Sequence, residues 1–269
     1  LADRALWVRL AADTTPFDDG GVPALLAHPD EGWHAPGATP AKRPVVIWMH
    51  GRTVHKELDP GRYLRWIRAE GGGIAACAID LPWHGERIDL KKQGPDHTLK
   101  MVERAVVELD LIIAALGDPK WNGAFDLDRI GIGGMSAGGM VTLVRLCKPH
   151  AFRCAAVEAA AGDYTPMTGR TFAVPELVKR LNPIDHLDAW RPIPLLALHS
   201  RADAWVPIAA IENFSDRLRQ HYTALGADPA MVELVTWDRT GAPEEHMGFG
   251  TKSNEAKNLQ TAFFTRWLA

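Results

Sequence analysis

Ser136 sits within Gly134-Met135-Ser136-Ala137-Gly138, a G-x-S-x-G run between a short apolar strand (Ile130 to Gly133) and a helical run (Val141 to Leu146). A serine hydroxyl is a poor nucleophile until a base takes its proton. The usual base is a histidine whose ring is oriented by a carboxylate. Both partners are available just past strands. Asp203 follows the apolar run Leu195 to Leu198, and His246 lies beyond the run Val232 to Thr236. Asp163, which follows the sixth strand, competes with Asp203 for the acid's role; Asp203 is preferred. The strand–turn–helix setting also explains the glycines, because the residues two before and two after the serine must nearly touch. The serine is expected in a strained backbone conformation. The amide of Ala137, at a helix N-terminus, is aimed at a developing oxyanion.

Positioning these groups needs a sheet whose strands end at one edge. Residues 5–11 and 22–28 read as two edge strands, the second with Pro23 near its start. A loop rich in Pro, Gly and Ala runs from Pro29 to Pro44. Beyond it come short continuous apolar runs, Val45 to Met49, Ile74 to Ile79, Ile130 to Gly133, Cys154 to Val157, Leu195 to Leu198 and Val232 to Thr236. Such runs suit strands buried on both faces of a parallel sheet. Apolar steps of three and four predict helices from Leu99 to Leu116 and from Ile208 to Leu225, each closed by glycine. A last helix is expected to bury Ala256, Leu259, Phe263 and Trp267. The economical architecture is one α/β domain over residues 1–269, with about eight mostly parallel strands flanked by helices.

Composition agrees with an ordinary globular chain. Of 269 residues, 46% are hydrophobic and 23% charged, enough for a sizeable core. A formal net charge of −3 gives no reason to expect nucleic acid as partner. No apolar run approaches the roughly 20 residues that span a bilayer. Cys77, Cys147 and Cys154 show no framework spacing and read as buried reduced thiols. A soluble protein is expected, with the cytoplasm favoured, although a leader removed before Leu1 is compatible with the sequence. The histidines lack metal-ligand spacing such as H-E-x-x-H, and neither a metal nor another cofactor is called for.

Taken together, the motifs resemble the α/β-hydrolase superfamily, in particular serine esterases of the dienelactone-hydrolase and acylaminoacyl-peptidase-like type. Four segments carry the resemblance: His50-Gly51 after the third strand, Asp80 to Arg87, which resembles D-x-x-G-H-G-E-R with Trp83 at the first glycine, the serine turn, and His199-x-x-x-Asp203-x-x-Val206-Pro207. The order Ser136, Asp203, His246 is the superfamily's order. The resemblance implies that the backbone N–H groups of Arg52 and Ala137 form the oxyanion hole, and that His50 and His84 brace the loops carrying it. It also implies cleavage of small or short-chain carboxylic esters, with amide hydrolysis or acyl transfer on the same triad as alternatives. A binding protein that has lost turnover is a further alternative. Departures are visible. Dienelactone hydrolases proper carry a cysteine where Ser136 stands. Oligopeptidases carry a propeller for which 269 residues leave no room. Ser200 stands where a glycine is common, and Arg52 where glycine or an apolar residue is.

Several side chains are expected around Ser136: Trp83, Arg87, Met135, Tyr164, Trp205 and Met247, with Met167 and Phe249 beside them. Arg52, Arg87 and Arg201 form either a site for a carboxylate-bearing acyl group or a set of solvated and paired arginines. Glu158, among alanines in the sixth strand, reads as half of a charged pair or as a solvated strand end. Residues 162–194 form a short lid-like segment with one helix, Pro175 to Leu181, which predicts a modestly covered site. Oligomeric state, stereochemical preference and the natural ester are not encoded in these motifs.

Overall fold

The computed structural model describes residues 3–17 and 20–268. Leu1, Ala2, Asp18, Asp19 and Ala269, which include both ends of the expected 1–269 domain, lie outside the described residues. Eight strands form one sheet: β1 (Ala5–Leu10), β2 (Val22–Ala27), β3 (Arg43–Met49), β4 (Ala75–Ile79), β5 (Phe125–Met135), β6 (Cys154–Glu158), β7 (Leu195–Ser200) and β8 (Val232–Trp237). Their spatial order is β1-β2-β4-β3-β5-β6-β7-β8. β1 and β2 run antiparallel to their neighbours, and all pairings from β4 through β8 are parallel.

The helices are α1 (Pro60–Ile67), α2 (Thr98–Leu116), α3 (Ala137–Leu146), α4 (Pro175–Leu181), α5 (Ala209–Ala224) and α6 (Ser253–Leu268). Strand alternation sorts side chains into two layers. Val45, Ile47 and Met49 of β3 join the core under α2, α3 and α5, while Val46 and Trp48 join the layer under α1 and α6. In that second layer Trp66 meets Trp48 and Phe264 edge-on, with centroids 5.7 and 5.4 Å away. Burial on both faces is why the central strands read as unbroken apolar runs.

Four details depart from the sequence reading. β2 lies inside the sheet between β1 and β4, fully buried, and is not an edge strand. β8 is the edge strand and is only half-buried through its middle, so covering on both faces stops at β7. α1 was not expected; its signal is Pro60 at the first helical position directly after Asp59. Trp267 is exposed, and α6 instead buries Ala256, Gln260, Phe263, Phe264 and Leu268. Cys77, Cys147 and Cys154 are free thiols, and burial holds the pKa of each above the ordinary range. No helix among the described residues is long and apolar enough to cross a membrane.

Candidate active site

The parallel strands end at one edge of the sheet, where α/β sheets hold their ligands. Ser136 lies between the end of β5 and the start of α3 with φ 51° and ψ −116°, a conformation sparsely populated by side-chain-bearing residues. Its neighbours show why the turn is built from glycine. A Cβ on Gly134 would stand 2.5 Å from the Gly138 carbonyl carbon, and one on Gly138 2.3 Å from the Met49 oxygen. The turn is pinned to the sheet by the Ser136 amide, which donates to the Glu158 carbonyl at 2.7 Å.

His246 reaches the serine from the loop after β8, its Nε2 2.8 Å from Ser136 Oγ. Its Nδ1 lies 2.7 Å from Asp203 Oδ2, in the loop after β7. The other oxygen of Asp203 accepts the amides of Trp205 and Val206 at 2.8 and 2.7 Å. The carboxylate is therefore held by backbone on one side and by imidazole on the other. With Nδ1–H donating to Asp203, Nε2 is left as the acceptor facing the serine. Asp163 is engaged elsewhere, accepting from Asn213 Nδ2 at 2.8 Å and from the Thr165 amide at 2.9 Å.

The loop carrying His246 has a lock that was not legible in the sequence. Glu244 and Glu245 both adopt φ 53°. The Glu245 carboxylate accepts the Thr240 and Gly241 amides, at 2.6 and 2.9 Å, and the Ser200 hydroxyl at 2.8 Å. These donors pull its pKa down to about 2. The serine at position 200, unusual beside His199, thus ties the end of β7 to the histidine loop.

The loop after β3 is braced as expected. His50 is buried, receives the Leu81 amide on Nε2 at 3.0 Å and places Nδ1 2.6 Å from the Gly51 carbonyl. Burial lowers its pKa to about 4. His84 is also buried and shifted down by desolvation, with Nδ1 2.8 Å from the Pro82 carbonyl. Asp80 accepts the Lys56 amide and ammonium, both at 2.9 Å, which ties this loop to the end of β4. Ala137 opens α3, so its N–H has no partner within the helix.

A cavity of about 700 Å³ opens over Ser136 and His246. Arg52, Met135, Ala137, Trp205 and Met247 line it, together with Met167 and Phe249. Three expected members do not. Trp83 is half-buried and meets the His97 ring edge-on at 6.2 Å. Arg87 is buried against Glu108, with contacts of 2.8 and 2.6 Å, because a buried guanidinium needs a carboxylate more than a pocket does. Tyr164 is fully buried against Phe172. The trio of arginines is likewise dispersed. Arg201 pairs with Glu212 at 2.9 Å, and of the three only Arg52 lines the cavity, donating to the Gln93 carbonyl at 2.8 Å. Glu158 is half of a charged pair. Arg62 of α1 grips it with two bonds, 2.9 and 3.0 Å, and Gln260 of α6 donates to it at 2.7 Å. Arg62 and Gln260 gave no signal in the sequence, since an isolated arginine and glutamine announce no partner. Among the described residues no group of three or more His, Cys, Asp or Glu is placed to hold a metal ion.

The sheet order and the strand-end placement of these loops define the α/β-hydrolase fold. The chain belongs to the prolyl oligopeptidase family, whose model matches residues 107–269. It is similar to the esterase YjfP of Escherichia coli (strain K12), 25% identical over 228 residues, which cover 78% of this chain and 85% of that protein. Its fold resembles the crystal structure of TT1662 from Thermus thermophilus, with a TM-score of 0.66, 21% identity and 98% of each chain covered. It also resembles the Pyrococcus horikoshii acylaminoacyl peptidase, with a TM-score of 0.67 and 16% identity; the match covers 98% of this chain and 41% of that one.

Proposed function

We propose that this protein is a serine hydrolase that cleaves carboxylic esters of small molecules through an acyl-enzyme. The observation that carries this reading is the continuous relay Ser136 Oγ–His246 Nε2, His246 Nδ1–Asp203 Oδ2 at 2.8 and 2.7 Å. In this reading Ser136 attacks the ester carbonyl while His246 takes its proton. The charge on the tetrahedral oxygen is met by the amides of Ala137 and Arg52. His246 then protonates the departing alcohol. It next activates the water that clears the acyl group, and Asp203 stabilises the imidazolium in both half-reactions. The mechanism calls for no cofactor. The similarity to a bacterial esterase supports ester as the substrate bond, and the short segment over the site fits a small or short-chain acyl group.

The test is hydrolysis of a p-nitrophenyl ester series from acetate to laurate by wild type and Ser136→Ala. Serine-dependent turnover that falls with chain length is expected. Equal rates in the two proteins would remove the assignment. A second reading, cleavage of amide or aminoacyl-peptide bonds, is favoured by the prolyl oligopeptidase family match and the likeness to an acylaminoacyl peptidase. Matched ester and amide substrates of one acyl group separate the two.

A further inference from the structure

The cavity is chemically two-sided. Part of the lining is made of charged pairs. Arg62 with Glu158 and Lys257 with Asp59 all line it, at 2.9 Å in each pair. The rim is different. Leu58, Trp205 and Met247 line the same cavity and are 55%, 44% and 54% exposed. Three of the nine exposed large hydrophobic side chains among the described residues thus line this one cavity. Apolar surface gathered at a concave opening marks a place where apolar surface is covered.

Trp205 is also held at both its backbone and its ring. Its amide donates to Asp203 Oδ1 at 2.8 Å, its carbonyl accepts from Arg170, and its ring packs against His246 with centroids 4.9 Å apart and planes tilted by 38°. One ring face is used by the imidazole, and the ring stays at the mouth without having to be ordered by a ligand. A rigid, pre-placed indole loses little entropy on binding a flat apolar group. The cavity, at about 700 Å³, has the size of sites that bury drug-sized ligands and far exceeds what an acetyl or propionyl group fills. Its charged pairs would have to give up solvent to no benefit if the apolar part of a substrate lay against them.

We propose that the ester taken by this site carries an aromatic or comparably bulky apolar group on one limb. That group is seated on Trp205, Leu58 and Met247, and Trp205 is the specificity-determining residue. The proposal rests on the ester-hydrolase reading and adds the class of substrate.

Two pairs of alkyl esters matched except for a phenyl ring test it on either side of the scissile bond: 2-phenylethyl acetate against ethyl acetate, and ethyl 3-phenylpropanoate against ethyl propanoate. In at least one pair, the phenyl ester is expected to have the higher kcat/KM by about tenfold or more, chiefly through KM. That ratio should fall toward about one in Trp205→Ala and persist in Trp205→Phe. Leu58→Ser/Met247→Ser, altered only at exposed positions, should reduce it even where Trp205→Ala proves unstable. Ratios of about one or less in both pairs for wild type, with turnover still dependent on Ser136, would overturn this proposal and leave ester hydrolysis standing. A preference that survives all the rim variants would overturn the seat. No serine-dependent turnover of any of the four esters would overturn the ester reading and this proposal with it.

Discussion

Asp203→Asn is the substitution whose consequence follows most directly from the geometry. Asp203 Oδ1 accepts two backbone amides, while Oδ2 faces His246 Nδ1. An asparagine has one oxygen and one NH2. Turning the NH2 toward Trp205 and Val206 would set donors against donors and strand one buried and one part-buried N–H group, at about 1–3 kcal/mol for the buried one. The side-chain oxygen therefore stays on the amides, and the NH2 points at Nδ1. A donor there forces Nδ1 to accept, which moves the imidazole proton to Nε2. The proton then sits between Nε2 and Ser136 Oγ, and the base can no longer take the serine's hydrogen. The loss of turnover should be about 10⁴-fold, or roughly 5.5 kcal/mol of transition-state stabilisation. The fold should be barely affected, since every backbone bond of the loop is retained. Steady-state hydrolysis of an activated ester, fluorophosphonate labelling of Ser136 and a thermal melt together measure this. A fall of less than about tenfold in kcat, or an equal loss in Asp163→Asn, would refute the argument that Asp203 sets the tautomer.

Three further outcomes follow from the same structure. Ser136→Gly should abolish turnover while raising stability by about 1 kcal/mol in denaturant unfolding, because glycine relieves the φ of 51°; unchanged or lower stability would show that the turn is not strained. Arg62→Met leaves the buried Glu158 carboxylate with Gln260 alone and should cost about 3–5 kcal/mol. Arg62→Met/Glu158→Met should recover a good part of that, and a single-variant loss below about 1 kcal/mol would contradict the pairing. His50 takes up a proton near 6.5 when unfolded and near 4 when buried. Between those values the unfolded state binds more protons, so stability is fully present above pH 6.5 and declines as pH falls toward 4, by about 3 kcal/mol in all. Urea midpoints at pH 7 and pH 4.5 for wild type and His50→Gln measure it, and an equal acid loss in both proteins would assign that loss to other groups.

What the sequence revealed and what it hid divide along a physical line. The strands of the sheet centre were legible because a strand buried on both faces must be apolar at every position. The serine turn was legible because its steric demands leave glycine almost alone at positions 134 and 138. Ser136 and Asp203 stand out because each lies just past such a strand, and His246 because it lies in the loop after the last strand, β8, which is itself only half-buried. The walls of the cavity were not legible. Arg87 and Tyr164 face inward because Glu108 and Phe172, on other elements, are there to meet them. Met135, Trp205 and Met247 line the site because each lies within two positions of Ser136, Asp203 or His246. The same logic explains why Glu158 was visible as an anomaly but not as an anchor. A lone carboxylate in an alanine strand shows that a partner must exist. That the partner is Arg62, on a helix 96 positions away, is fixed only once α1 and α6 close over the sheet. There the pair and Gln260 join α1, the end of β6 and α6 directly beneath the turn that holds Ser136. The position of Ser136 is thus set twice: by local glycine sterics, which any reader of the sequence can see, and by a buried charge network that exists only in the folded chain.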